Sequence, residues 1–343
     1  MHYSNLIPAF NTQDRPRWRF LDAASDAADT LRAHNIAMFE GATMRIGIFG
    51  GDTGDRTIDE LIADARDAET QGFAAYYLPQ IFGMDAITVL ALIGREVPRL
   101  ELGTGVVPTY PRHPGMLASQ ALTTASACGG RFVLGIGLSH QIVVEGLWGM
   151  SYDKPARHMK EYLSILMPLL RDGNASFVGE TLTNHAPAMV ADRQPVPVLL
   201  AALAPRMLHL AGAVADGTIT WMTGVDTLSS YIVPNLNKAA ADAGRPTPRV
   251  ASSLPVCITN DVDAARSQAA QDFAVYGTLP SYRAMLDREG AAGPADVAIV
   301  GDETAVARGV AALSDAGVTD FAAAVFGDVP AQRRTRAFLA TLV

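Results

Sequence analysis

From Met44 to Val343 the chain alternates between strand-like and helix-like patterns, and eight such pairs follow one another. A rhythm of this kind calls for parallel strands joined by helical crossovers. Strand patterns fall at residues 45–49, 75–78, 100–107, 131–136, 196–200, 217–220, 249–259 and 320–325. Helical patterns fall between them, at 57–71, 85–95, 113–127, 155–170, 205–215, one that ends at 243, 262–289 and 304–316, with a closing one at 331–342. In the first helix Ile58, Leu61, Ile62 and Ala65 share one face, and Gly72 stops it. One stretch, 173–190, breaks the rhythm and reads as a hairpin insertion around Gly179-Glu180, before strand five. Two architectures accommodate such a chain. An open doubly wound sheet usually carries a glycine fingerprint after strand one, but here that strand ends Phe49-Gly-Gly-Asp-Thr-Gly-Asp55, without the full G-x-G-x-x-G spacing or its acidic follow-up. The expected fold is therefore an α/β (β/α)8 TIM barrel.

Composition narrows the function. The formal net charge is -8 and there is no Lys/Arg run, which argues against a nucleic-acid surface. An anionic ligand would need local donors. No stretch reaches the ~20 apolar residues of a membrane span. Cys128 and Cys257 have no CxxC partner and sit in apolar surroundings, as expected of buried thiols in a reducing cytoplasm. Residues 1–43 carry Arg15, Pro16, Arg17, Trp18 and Arg19 and then an Ala/Asp segment, with no early apolar core of a secretory signal. They read as an N-terminal extension outside a barrel domain of residues 44–343, and Met44 itself reads equally well as a start.

A barrel of this kind carries its chemistry at the C-terminal ends of the strands. Those ends are rich in Gly, Ala and Ser, which let a flat ring or a phosphate approach the backbone closely. Ala201-Ala-Leu-Ala204 leads into a helix near Pro205 and places free N–H groups there. Arg206 would add charge to that anion site, or else it is a solvated residue on a tight turn. His113 reads as a helix cap, a packed imidazole or a ligand contact. Ser139-His140 makes no nucleophile pair, since the two are adjacent in sequence and no GxSxG elbow exists. The seven histidines form no HxH or HExxH, so no metal site is expected. Trp148 and Trp221 either wall a ring pocket or cap the barrel. With Met150 and Met222 they suggest a small hydrophobic organic substrate.

Taken together, Gly103-Thr-Gly-Val-Val-Pro108, Arg112-His-Pro114 and Gly129-Gly-Arg-Phe-Val-Leu-Gly-Ile-Gly137 resemble the luciferase-like monooxygenase superfamily, and within it the deazaflavin branch that uses coenzyme F420. Pro197-Val-Leu-Leu-Ala-Ala202 with Pro205-Arg206, Ala215-Asp-Gly217, Val300-Gly-Asp302 and Ala316-Gly-Val-Thr-Asp320 extend the resemblance over most of the chain after Met44. It implies a bacterial-luciferase-like barrel and a homodimer. It implies a non-prolyl cis peptide at Gly105-Val106 that, with Thr104, backs the cofactor ring. Gly137, Leu138, Ser139 and His140 would touch the ring, and Ala201, Ala202, Leu203, Ala204 and Arg206 would hold the phosphate.

There is one departure. Several deazaflavin enzymes of this kind end strand two with Asp-His, whereas this chain reads Leu78-Pro79-Gln80. Gln80 can hydrogen-bond a carbonyl but cannot shuttle a proton at neutral pH. Reduction of an activated double bond or imine fits better than alcohol or sugar-phosphate oxidation. The candidate catalytic residues are Gln80, His140 and Tyr77, with Tyr110 and Asp52 as further proton donors. The resemblance thus implies an F420-dependent oxidoreductase. An FMN-dependent monooxygenase using O2 and a non-catalytic deazaflavin-binding protein are the alternatives.

Overall fold

The computed structural model describes residues 44–51 and 53–343. The expected N-terminal extension (residues 1–43) and Asp52 lie outside the described residues. The barrel strands are β1 (Arg45–Phe49), β2 (Ala75–Leu78), β3 (Glu101–Thr104, resuming at Val107–Pro108), β4 (Phe132–Gly137), β5 (Val198–Leu200), β6 (Gly217–Trp221), β7 (Arg249–Ile258) and β8 (Asp320–Val325). Each pairs in parallel with its neighbour, and β8 pairs with β1, so the ring closes. This is the expected (β/α)8 barrel. The expected hairpin is also present before β5, as the antiparallel pair Phe177–Val178 and Thr183–Asn184.

The helices between the strands begin where the sequence supplies caps. Thr57 and Glu60 form a reciprocal capping box at the helix Ile58–Thr70. Asp85, Asp261, Asp302 and Asp328 each accept a first-turn N–H of the helix that follows. Two packed layers result. Tyr76 and Leu78 belong to the large apolar layer between strands and helices. Their neighbours Ala75 and Tyr77 join Val133, Leu199, Ile219, Ala251 and Ala322. These seven residues come from six strands and can meet only inside the barrel, as the period-two alternation requires.

The interior is plugged at its N-terminal end by charge. Arg45, Glu101, Arg249 and Asp320 are the first residues of β1, β3, β7 and β8. Arg249 Nη2 lies 2.7 Å from Glu101 Oε1 and 2.8 Å from Asp320 Oδ1, and Arg45 Nη2 bridges the same two carboxylates. Burial opposes ionisation of Asp320, but the two guanidiniums more than offset it and hold its carboxyl down to about 2.

The structure departs from the expected elements in three places. The expected helix over 262–289 is three pieces: Val262–Asp272, a 3-10 turn Ala274–Gly277, and Pro280–Glu289. Pro280 has no N–H to continue a helix and instead opens a new one. A short helix, Gln141–Gly146, follows β4. A ninth parallel strand, Ile299–Gly301, extends the outer end of β7.

Two outcomes follow from the charged plug. Arg249→Met leaves two buried carboxylates sharing one guanidinium and is expected to destabilise the fold by about 3–5 kcal/mol, read from denaturant unfolding. The low carboxyl of Asp320 stabilises the folded state fully above the ordinary aspartate value of 3.8 and loses that contribution as pH falls towards about 2. Unfolding free energy should therefore fall between pH 4 and pH 2 in the native chain, and this fall should be smaller in Asp320→Asn.

Candidate active site

At the opposite end of the barrel the strand termini surround a cavity of about 60 Å³, partly open to solvent. Phe49 enters it from the end of β1, Gly105 and Val106 from the break in β3, Ala201 and Leu203 from beyond β5, Trp221 from the end of β6, and Tyr282 from the helix Pro280–Glu289. A larger hollow of about 250 Å³ lies on the helix side of β7, between Leu254 and Ala305. The strand-end cavity is the candidate site, because barrel chemistry sits there.

The break in β3 builds one wall. The peptide bond between Gly105 and Val106 is cis, in keeping with the resemblance. Gly105 N donates to Leu78 O at 2.8 Å, and Val106 O accepts from Gln80 N at 3.2 Å. The buried Thr104 hydroxyl donates to Gly135 O and accepts from Gly135 N, so it fastens β3 to β4 beneath the cavity. A Cβ on Gly137 would lie 2.8 Å from Val106 and 3.2 Å from Ala201, so only glycine lets these three elements meet. Beyond it the backbone turns through Ser139, at φ 61, whose carbonyl accepts from the Tyr152 hydroxyl at 3.3 Å. Leu138 and Ser139 are half-buried there.

The other wall is aromatic. Trp221 stacks on Phe49, with ring centroids 5.6 Å apart and planes 14° apart. Phe273 and Tyr276 meet Trp221 edge-on, Tyr282 meets Tyr276 edge-on, and His140 tilts against Tyr282. The break in the expected 262–289 helix is what carries Tyr276 and Tyr282 over the mouth. The indole Nε1 of Trp221 is buried with no hydrogen-bond partner, as is the hydroxyl of Tyr110, which stacks between His158 and Tyr152. A buried donor left unpaired costs about 1–3 kcal/mol, so a ligand atom is the natural complement to the Trp221 N–H.

The structure separates the candidate catalytic residues. His140 is half-buried at the mouth, neither ring nitrogen has a partner among the described residues, and burial pushes its imidazole down. Gln80 lies near the mouth, but its Oε1 accepts from Ala86 N at 2.7 Å and so caps a helix. Tyr77 is placed at the wrong end. Its ring lies inside the barrel, and its hydroxyl meets Glu101 at 3.3 Å and Arg249 at 3.4 Å, in the charged plug. A proton-donor role at the cavity is therefore withdrawn for Tyr77.

The remaining candidates also divide. Ala202 is buried in the outer core, so its side chain does not reach a ligand. Met222 is buried there too, at φ 52, and leaves the expected substrate pocket. Ala204 and Arg206 are exposed at the start of the helix Pro205–Ala213, which has no side-chain cap, and Arg206 has no partner among the described residues. Arg112 pairs with Asp85 at 2.6 Å. His113 caps a helix through Nδ1 and meets Thr183 O through Nε2 at 3.1 Å, which ties the hairpin to the barrel. Glu161 accepts three backbone N–H bonds from residues 180–182 of the same hairpin. Among the described residues no His/Cys/Asp/Glu group could hold a metal ion, and no helix is long and apolar enough to cross a membrane.

Comparison with known proteins places this geometry. The model of the luciferase-like monooxygenase family matches residues 41–327. This chain belongs to that family. As a luciferase-like enzyme it is 29% identical over 259 residues to the 5,10-methylenetetrahydromethanopterin reductase of Methanolobus tindarius, covering 75% of this chain and 78% of that one. It is 32% identical over 197 residues to the F420-dependent glucose-6-phosphate dehydrogenase of Nakamurella multipartita, covering 55% and 57%. The coenzyme F420-dependent tetrahydromethanopterin reductase of Methanopyrus kandleri superposes with a TM-score of 0.73 at 21% identity, over 88% of this chain and 99% of that one. A type II Baeyer-Villiger monooxygenase from Pseudomonas putida, solved with FMN, superposes with a TM-score of 0.69 at 15% identity, over 87% and 96%.

Gly105 gives a direct test of the wall. A Cβ there would lie 2.7 Å from the Phe49 ring, so the crowding falls on Phe49 before it reaches the cavity. Gly105→Val is expected to lower stability by about 1–3 kcal/mol and to change the near-UV circular dichroism of the Phe49–Trp221 stack. An unaltered near-UV spectrum and melting temperature would contradict this placement of Phe49.

Proposed function

We propose that this luciferase-like enzyme is a coenzyme F420-dependent oxidoreductase that moves a hydride between the deazaflavin and a small, hydrophobic organic substrate. The observation that carries the reading is the strand-end cavity, walled by the Gly105–Val106 break on one side and the Phe49–Trp221 stack on the other. It suits a flat, uncharged ring, and the names of two relatives above specify F420. Bound there, coenzyme F420 supplies the hydride chemistry.

The chain's own residues bind and orient. Gly105, Val106, Gly137, Leu138 and Ser139 offer a close-approach surface on one side of the ring. The helix starting at Pro205 offers unpaired N–H groups and its positive end, and Arg206 a free guanidinium, to a phosphate. His140, kept neutral at pH 7 by its burial, can hold one hydrogen bond to a substrate at the mouth. Gln80 has its carbonyl engaged in a helix cap, so the end of β2 supplies no proton shuttle. This favours reduction of an activated double bond or imine over oxidation of an alcohol. Cys128 and Cys257 are buried free thiols, which fits a reducing cytoplasm.

FMN is the second reading, favoured by the FMN-bound structure that shares the fold. Paired titrations with F420 and with FMN separate the two. Binding of F420 at micromolar concentration or tighter, with FMN at least tenfold weaker, is the expected outcome; the reverse order would move the enzyme to flavin chemistry. Arg206→Ala should weaken F420 binding roughly tenfold at low salt and flatten its salt dependence, since a phosphate contact at an exposed site is screened by ions. An unchanged salt response would remove Arg206 from the phosphate site.

A further inference from the structure

The polar groups of the strand-end cavity fall into two kinds. The Ser253 hydroxyl donates to Ala322 O at 2.6 Å, and the Thr220 hydroxyl donates to Ser252 Oγ at 3.2 Å, so neither has a proton left to offer. The Trp221 indole N–H is buried without an acceptor. Among the described residues the Tyr282 hydroxyl likewise has no hydrogen-bond partner, and both residues line the cavity. Among the described residues the lining contains no carboxylate, ammonium or guanidinium. A cavity whose described lining includes two residues with unpaired neutral donors and no charged group matches an uncharged acceptor. A carboxylate brought there would be desolvated with no cation to meet it.

From this we propose that Trp221 Nε1–H and Tyr282 Oη–H are the donors that bind a carbonyl oxygen of a planar, uncharged ligand, and so set which ligands the cavity accepts. The inference deepens the F420 reading and rests on it for the identity of one of two possible occupants. That carbonyl belongs either to the deazaflavin ring or to an unsaturated carbonyl substrate stacked beside it. In both cases the pair acts as a specificity device: it rewards a C=O and leaves an isosteric CH2 with two unpaired donors. Burial and the neighbouring Tyr276 push the Tyr282 phenol up, so at neutral pH it is a protonated donor.

The test uses the whole protein, wild type and the variants Trp221→Phe and Tyr282→Phe, each checked for a native circular dichroism spectrum. Trp221→Phe keeps a ring on Phe49, and the half-buried Tyr282 can lose its hydroxyl with little change in packing, so at least one variant remains informative. Two titrations are run by calorimetry: oxidised F420 alone, and 2-cyclohexen-1-one in the presence and absence of saturating F420. The carboxylate analogue 3-oxocyclohex-1-ene-1-carboxylate and the reduced analogue cyclohexene serve as controls. A five- to twentyfold loss of F420 affinity in the variants assigns the ring carbonyl as the acceptor. The same loss confined to the enone assigns the substrate carbonyl. Equal affinity of wild type and variants for both ligands overturns the proposal, as does binding of the carboxylate or cyclohexene as tightly as the enone. Failure of wild type to bind F420 would overturn the cofactor reading alone, because the enone titration without F420 still tests the donor pair.

Discussion

The barrel depends on how its N-terminal end is closed. Four charged residues occupy the first positions of β1, β3, β7 and β8, and Arg249 reaches both Glu101 and Asp320. Two guanidiniums and two carboxylates fill that end with matched charge, and three of the four pairings join strands that are not consecutive in sequence, β1 with β3, β1 with β8 and β3 with β7. A buried cluster of this kind is weak evidence of net stability, because desolvation consumes most of the Coulomb gain. Its contribution is to register. A slip of one residue in any of these strands would send a charge into the helix layer.

That closure also explains why Tyr77 misleads when read from sequence. Period-two alternation tells whether a strand residue faces the barrel interior or the helices. It does not tell whether a long side chain inside the barrel runs towards the mouth or the base. Tyr77 is one residue from the end of β2, yet its hydroxyl reaches the plug, drawn by Glu101 and Arg249. The strands themselves were legible. β1, β2 and β8 occupy the residues their patterns predict, because short apolar runs bounded by Gly or turn residues leave little freedom. The break in β3 was legible only through family resemblance, since Gly105-Val106 carries no local signal for it.

The site was half legible. The Gly and Ala segments at the ends of β3, β4 and β5 do meet, where Gly137 is required by the approach of Val106 and Ala201. The aromatic wall was hidden by the 262–289 region, whose composition suits a continuous helix. Its break at 273–279 delivers Tyr276 and Tyr282 to the mouth, and the one cue was Pro280 following Gly277. The Arg112-His113-Pro114 run was specific to the fold without belonging to the cavity. Its Arg pairs with a helix cap, and its His anchors the hairpin.

The two ends of the barrel are therefore electrostatic opposites. Glu101 starts β3 and Gly105 follows four residues later, about 13 Å further along the barrel at the usual rise of a strand. Within that distance the interior passes from four ionised groups to a lining with none among the described residues. The plug is internally neutral, with two charges of each sign, so little field leaks up the axis to the cavity. Under the proposed hydride chemistry, the described lining offers no fixed charge that would favour one ionic product over another. Control over the reaction then passes to short-range contacts: the flatness of the Gly105–Val106 wall, the Phe49–Trp221 stack, and the few neutral donors at the mouth. A substrate whose negative charge develops on a single oxygen during hydride transfer is the one this arrangement can help most, because a neutral donor strengthens its hydrogen bond as that charge grows.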